Sequence, residues 1–479
     1  MTEQGKEARL TKTLTPVDYF TLGFGAIVGV GWVALMGDWI SLGGGVIPAA
    51  LGFCLAALLM LPASFCYAEL ASSIPVAGGS IAYSYRAYGT GVAYWVGWFT
   101  LLAYISVCPW EAIAIGHVLA GLFPIFKVVP LYSARGYEIY LPVMVVGVIC
   151  TLVITWANYR GVKQMAALQK ILTYLLMIAG VLVIVFGFAF GKSSNIVPVF
   201  VPKEGSEWGI WSGIFSVFVL APFFLAGFDT IAQGAEEAGK INYSNLGKTV
   251  FLSMISAALF YILVIIAAGF SWPWQELVKM DFATSKVFAS ALQIPVLAWI
   301  AILGALAGLI TTFNALFYAT TRVIYAMSRA RLLPGVFSRL HPRYQTPYIA
   351  VLFTGAISML GPFLGRKWLV PLADIGGIGF VAMYLGGALA AFKLRSAEPG
   401  LIRPYQMPGG KLMAAVAAIA SVIILSFALF PGLPSSLAWP TDYLVFIGWL
   451  VLGAVIYGAS SADRSAVGEA ERKRIILGN

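Results

Sequence analysis

The stretch Gly25-Ala26-Ile27-Val28-Gly29-Val30-Gly31 lies inside the first long apolar run of the chain. A helix crossing lipid must satisfy its own backbone N–H and C=O groups, because hydrocarbon offers no partners. Each glycine costs a helix about 1 kcal/mol relative to alanine, and three stand within these seven residues. The run is apolar enough to enter a bilayer, yet its middle is suited to unwinding. Unwound backbone at that depth persists only where protein buries it or a wet cavity solvates it. Such a stretch presents N–H groups to an anion and carbonyls to a cation. A zwitterion such as an amino acid carries both charges. The stretch therefore reads as a midplane binding site made largely of main chain.

The surrounding chain supports a membrane setting. Its 479 residues are 60% hydrophobic and only 10% charged, with mean hydropathy +0.89, where a soluble domain is about 25% charged. This is a polytopic membrane protein and not a soluble enzyme. The polar start Met1–Val17 lacks the apolar core of a secretory signal, so residues 1–17 read as a cytoplasmic tail before an uncleaved anchor. The net charge of +10 is read as positive-inside bias and not as a nucleic-acid surface. Cys54, Cys66, Cys108 and Cys150 fall in or at the ends of apolar runs without a CxxC pair; they read as small buried hydrophobes. His117 and His341 are too few and too far apart for a metal centre.

Twelve apolar runs are long enough to span, at roughly 20 residues each: about 19–40, 46–67, 92–121, 138–157, 170–190, 211–233, 246–270, 288–321, 347–364, 369–392, 411–431 and 441–459. The ninth is short and holds Gly361-Pro362. Of the 30 Lys and Arg residues, 22 fall in the tails and the loops after even-numbered spans, and 8 in the loops after odd-numbered spans. That asymmetry predicts both termini on the cytoplasmic side of the inner membrane. The sixth run is also interrupted, by Pro222, Gly227 and Asp229. Two interrupted spans, each opening a set of five, predict an inverted repeat with the site between its halves. The expected fold is all-α: a transporter core over 18–393, with halves at about 18–190 and 211–393, two extra helices over 394–460, and a polar tail over 461–479.

Ionisable groups inside a membrane are functional suspects. Glu111 in the third span follows Pro109-Trp110 and opens a run of small residues; it is the leading proton-carrier candidate. Asp229, just after the break in the sixth span, reads as a helix cap, a proton carrier or a partner of a substrate ammonium. Asp374, near the outer end of the tenth span, reads as a local hydrogen-bonding group. Glu69, Glu236 and Glu237 sit at cytoplasmic span ends, where loop pairing is expected. Thr311 and Thr312 belong to a polar cluster with Asn314 in the eighth span. They read as interhelical glue or, with first-span carbonyls, as oxygen ligands for a sodium ion. Trp32 and Phe223 are the gate candidates among the bulky residues Trp32, Trp98, Trp110, Phe223, Phe224 and Phe228. Gly29-Val30-Gly31-Trp32-Val33-Ala34 matches GxGxxA without a preceding strand, and Gly247-Lys248-Thr249 and Gly191-Lys192-Ser193 lack the upstream glycine of a phosphate loop. With no ATP site, transport would be driven by a gradient or by exchange, with H⁺ or Na⁺ as the coupling ion and no cofactor.

Ile27-Val28-Gly29-Val30-Gly31 resembles the first-span motif of the amino acid–polyamine–organocation (APC) superfamily. Tyr67-Ala68-Glu69-Leu70 through Pro75-Val76-Ala77-Gly78-Gly79-Ser80, with Tyr83 and Tyr88-Gly89, resembles its segment after the second span. Gly227-Phe228-Asp229-Thr230 with Glu236-Glu237 looks like the sixth span of its cationic-amino-acid-transporter-like members. Arg322 to Arg329 with Leu332-Leu333-Pro334 resembles the end of the eighth. The resemblance implies alternating access in a five-plus-five fold. It implies a substrate carboxylate at the N–H groups of Val30 and Gly31, with Gly29 allowing close approach. It places the ammonium at the carbonyls of Ile27, Phe223 and Ala226, with Phe223 as an aromatic gate, and Tyr104 and Glu111 resemble a third-span pattern of some members. Val30 and Trp32 depart from the usual motif, and Leu176 stands where some proton-coupled relatives carry a lysine. Glu111, sodium and obligate exchange stay open as coupling modes. The expected function is secondary active transport of amino acids or related amines; the alternatives are an amino-acid sensor without transport and a polyamine or amine permease.

Overall fold

The computed structural model describes residues 10, 12–134, 136–202, 209–239, 242–280, 284, 295–431 and 436–477. Most of the expected 1–17 tail, residues 288–294 of the eighth run and the last two residues of the 461–479 tail lie outside them. Among the described residues, eleven helices are long and apolar enough to span, and Tyr348–Leu364 is a shorter twelfth. Twelve crossings return both chain ends to one face, called here the terminal face.

The first crossing is broken as its glycines demand. It runs as α1 (Pro16–Ile27), then Val28, Gly29 and Val30 out of helix, then α2 (Gly31–Ala34) and α3 (Met36–Gly43). Gly25 stays helical: a Cβ there would stand 2.5 Å from Gln169 Nε2 and 2.6 Å from Thr173 Oγ1. It serves close packing and not unwinding, so only part of the glycine cluster makes the break. A capping box starts α1, with Thr15 N–H donating to Asp18 at 2.9 Å, an arrangement worth about 0.5–2 kcal/mol. Then come α4 (Val46–Ser73), α5 (Gly79–Tyr88) and α6 (Thr90–Leu122). A small antiparallel hairpin, β1 (Pro130–Ala134) with β2 (Tyr137–Tyr140), precedes α7 (Leu141–Arg160) and α8 (Val162–Phe190).

The second half repeats the plan. The sixth crossing is α9 (Ile210–Leu225) and α10 (Thr230–Gln233), separated by Ala226–Asp229. Pro222 lies within α9, and the break falls after it. There follow α11 (Tyr243–Ser271), α12 (Trp274–Leu277), α13 (Pro295–Arg329), α14 (Tyr348–Leu364) and α15 (Leu369–Ala397). Outside the two sets of five lie α16 (Lys411–Leu429) and α17 (Thr441–Ala459), then α18 (Ser461–Ala466) and α19 (Glu469–Leu477). In the polar tail, Ile476 and Leu477 are buried and Arg329 donates to the Ile475 carbonyl at 2.8 Å.

Two helices run further than apolarity alone suggests. α8 begins at Val162 and not near 170, because Gln169 is buried and donates to the Thr21 carbonyl at 3.2 Å. α13 continues to Arg329 because Arg322 and Arg329 pair with Glu237 and Glu236 at 2.7 and 3.3 Å. The pairing expected of Glu69 is also present, with Arg395 and with Arg403. Small residues let the helices touch. A Cβ on Gly308 of α13 would stand 2.6 Å from the Gly29 carbonyl, and one on Gly379 of α15 2.9 Å from Ala103 Cα of α6.

On the terminal face, Arg86 of α5 holds Glu398 at 2.6 Å. Hydrogen bonds from Arg86 keep the Glu398 carboxyl below the usual glutamate range. The pair therefore stabilises the fold above about pH 4.5, and the gain is lost as pH falls through the lowered value. Glu398 is about a third exposed, so the contribution is under about 1 kcal/mol. Glu398→Gln is expected to lower the unfolding midpoint slightly near pH 7, by an amount that shrinks as pH falls through the lowered carboxyl value; a loss that does not change with pH would rule out the ion pair as its source.

Candidate substrate site

A small cavity lies where the two breaks meet, with about 370 Å³ of empty space when the part open to solvent is counted. Ala26, Ile27, Gly29, Val30 and Gly31 form one wall and Phe223, Phe224 and Ala226 face them. Val107, Trp110 and Glu111 of α6, Tyr261 of α11, Thr312 and Leu316 of α13, and Phe380 of α15 close it. All six expected substrate-binding residues, Ile27, Gly29, Val30, Gly31, Phe223 and Ala226, are brought together here.

The main chain at both breaks is under-bonded. Among the described residues, the N–H groups of Val30 and Gly31 donate to no acceptor, while the Gly29 N–H faces the Tyr261 hydroxyl. No donor among them reaches the carbonyls of Phe223 and Ala226, at the C-terminal end of α9. Buried main-chain polar groups are rarely left so. The free N–H groups offer a notch for an anion, and the free carbonyls, at the negative end of a sixteen-residue helix, offer one for a cation. The Ile27 carbonyl, expected to meet the ammonium as well, accepts the Tyr261 hydroxyl at 3.1 Å. Tyr261 escaped the sequence reading because a single tyrosine in the apolar run 246–270 looks like packing.

The remaining candidates separate. Glu111 lines the cavity, is 2% exposed, and its Oε2 has no partner among the described residues. Thr312 also lines it, donating to the carbonyls of Gly25 at 3.1 Å and Gly308 at 3.0 Å. Thr311 donates to Gly308 at 2.8 Å and does not line the cavity. Asp229 does not line it either: it accepts from Tyr104, from Tyr384 at 2.7 Å and from the Gly227 N–H at 3.3 Å. Its side chain caps no helix; it ties the break in the sixth crossing to α6 and α15. Trp32 is fully buried outside the cavity, edge-on to Phe260 with ring centroids 5.5 Å apart. Phe223 stands in the wall beside Trp110, 6.0 Å between centroids. Trp98 stacks on Trp449 and Phe228 on Tyr384, both away from the cavity.

The terminal face is sealed below the site. Thr13 and Leu14 donate N–H bonds to the Glu237 carbonyl at 3.0 and 3.1 Å, and the Tyr19 hydroxyl donates to the Gly234 carbonyl at 2.8 Å. The two broken crossings are thus stitched together at that end.

Two interrupted crossings around a cavity of exposed main-chain groups define a secondary transporter of the broken-helix type. The chain belongs to the amino acid permease family, whose sequence model matches residues 14–455, within the APC superfamily. It is 31% identical to the branched-chain amino acid permease BcaP of Bacillus subtilis, over 97% of this chain and 96% of that protein. It is 28% identical to the methylthioribose transporter of the same organism over the same shares. It is 27% identical to the vacuolar cationic amino acid transporter 4 of Arabidopsis thaliana, over 82% of this chain and 64% of that one. The protein is a multi-pass amino acid transporter and not an enzyme.

Proposed function

We propose that the chain carries neutral, apolar amino acids across the cytoplasmic membrane, with both termini in the cytoplasm, and that Glu111 couples the movement to protons. The carrying observation is the pairing, in one cavity, of free N–H groups at Val30 and Gly31 with free carbonyls at Phe223 and Ala226. A carboxylate fits the first set and an ammonium the second. Val107, Trp110, Phe224, Leu316 and Phe380 leave an apolar space for the side chain. Glu111 is the carboxyl on this wall. With Oε2 unpartnered, its charge is balanced by a proton on it or by a cation beside it. A carboxyl that must exchange one for the other as substrate enters and leaves is a coupling device. The similarity to a branched-chain amino acid permease supports the apolar substrate.

Proteoliposomes loaded with leucine are expected to take up labelled leucine by counterflow; binding without exchange would make the protein a sensor. Net uptake is expected to depend on external pH in wild type and to lose that dependence in Glu111→Gln while counterflow persists. A full pH dependence in the variant, or a requirement for sodium, would remove Glu111 as the proton carrier.

A further inference from the structure

The polar end of the chain folds back under the sealed face. α19 turns one stripe inward, at i, i+3 and i+4: Arg472 and Ile476 are buried and Ile475 is partly so. Ile475 and Ile476 close a crevice whose other walls include Ala77, Ile81 and Ala82 beside α5 and Ala326 of α13. Three polar contacts fasten the helix. The Tyr85 hydroxyl of α5 donates to the Glu469 carbonyl at 3.4 Å, and Arg472 donates to Thr90 Oγ1, at the start of α6, at 3.4 Å. Arg329 Nη2, at the end of α13, donates to the Ile475 carbonyl at 2.8 Å. This last bond is the shortest, and the reason is local. The Ile475 carbonyl is among the last four of its helix, which have no intrahelical donor, and a cation suits that negative end.

The same guanidinium ties the seal. Arg329 Nη1 donates to Glu236 Oε1 at 3.3 Å and Nη2 to Oε2 at 3.5 Å. Both are long, so the short bond to Ile475 fixes where the planar fork points. Glu236 Oε2 also accepts the Ala77 N–H at 3.2 Å, and the Gly78 N–H donates to the Gln233 carbonyl at 3.2 Å. Glu237, the next residue, takes the N–H groups of Thr13 and Leu14. The tail thus acts on one arginine that joins α13 to the turn after α10, on the terminal side of the central cavity. A transporter that opens to each side in turn must part these elements to open here. With the tail undocked, the Arg329 fork turns to water, where an exposed pair of this length is worth little.

We propose that α19 is a built-in clamp. Docked, it holds Arg329 on Glu236 and keeps the terminal face shut; undocked, it lets that face open more readily. A helix of nine residues is held by the body it packs on and not by its own propensity, so it leaves without disturbing a membrane crossing. The clamp does not depend on which amino acid is carried or on whether Glu111 carries protons.

Hydrogen exchange of the purified full-length protein, read by mass spectrometry, tests this without any substrate. The reporters are the amides of Thr13, Leu14, Ala77 and Gly78, which bond across the seal. Ile476→Asp with Leu477→Asp puts charges where the tail is buried. It is expected to speed exchange of the reporters at least about fivefold, while the β1–β2 hairpin on the opposite face keeps its wild-type rate. Arg472→Ala, which removes the bond to Thr90 and adds no charge, is expected to act in the same direction, and it serves should the double variant fold poorly. Arg329→Ala is expected to speed the same amides. Adding the tail changes to it is expected to give no more than about a twofold further rise, since both act through one bond. Faster exchange confined to 469–477, an equal rise on both faces, or full additivity with Arg329→Ala would each overturn the proposal and leave α19 as a packing element.

Discussion

Leucine in place of Gly29 is expected to abolish amino acid binding while the protein still inserts and purifies as a folded species. A Cβ at this position would stand 3.1 Å from Thr312 Oγ1 and 3.7 Å from Glu111 Oε1. The rest of the side chain must then occupy the space between them, inside the cavity. Overpacking alone costs about 1–3 kcal/mol, and here the added atoms also displace the ligand and screen the N–H groups of Val30 and Gly31. The expected loss of affinity is at least about 100-fold, read as the loss of the amino-acid-induced shift in unfolding temperature. The fold is spared because residue 29 is already outside the helix and its φ does not demand glycine. Gly31→Leu acts differently: its Cβ would meet Trp39 at 2.9 Å and Phe224 at 3.2 Å, so the wall itself must move. Wild-type affinity in folded Gly29→Leu would show that the substrate does not sit at this break.

The second large effect concerns stability. Arg322 and Glu237 pair at 2.7 Å with side chains only 2% and 1% exposed, and the Arg322 guanidinium lies 4.0 Å over the Tyr318 ring. The Glu237 carbonyl also receives the N–H groups of Thr13 and Leu14. One residue thus joins α13, the turn after α10 and the entry to α1. Arg322→Ala leaves a buried carboxylate unpaired, which costs about 3–5 kcal/mol. Burial raises the Glu237 carboxyl above the usual range, and Arg322 opposes that rise. Without Arg322 the carboxyl rises further. A group raised in the folded state favours folding at low pH and loses that contribution as pH climbs through its folded value. The Arg322→Ala deficit is therefore expected to shrink as pH is lowered. Thermal unfolding in detergent at several pH values measures this. The double replacement Arg322→Met, Glu237→Leu is expected to recover much of the loss. A deficit independent of pH and kept in the double variant would assign it to packing instead.

Much of this architecture is legible in the chain because lipid imposes strict rules. Runs near twenty apolar residues mark crossings, and even the short ninth, with Pro362 in its last turn, forms helix α14. Breaks at Gly29 and Gly227 follow from main-chain entropy and from the lack of hydrogen-bond partners in hydrocarbon. The hydrophobic scan fails where polar residues are buried by pairing. Gln169, Arg322 and Arg329 look like loop and end inside helices, because their partners Thr21, Glu237 and Glu236 are remote in sequence.

The role of each polar side chain is a different matter. Glu111 and Asp229 look alike along the chain, each an acid in an apolar run. Packing separates them: Tyr104 and Tyr384 converge on Asp229, while Glu111 keeps one oxygen free beside the cavity. Trp32 and Phe223 likewise look equivalent as gates, yet one ring turns into the helix packing and the other stands in the cavity wall. The chain by itself determined that it holds twelve apolar crossings and that two of them break. These depend on local composition and on what hydrocarbon cannot solvate. Only the tertiary structure decided which side chains face the void and which are tied off, because that depends on partners a hundred or more residues away meeting at hydrogen-bond distance, as Tyr384 and Asp229 do at 2.7 Å.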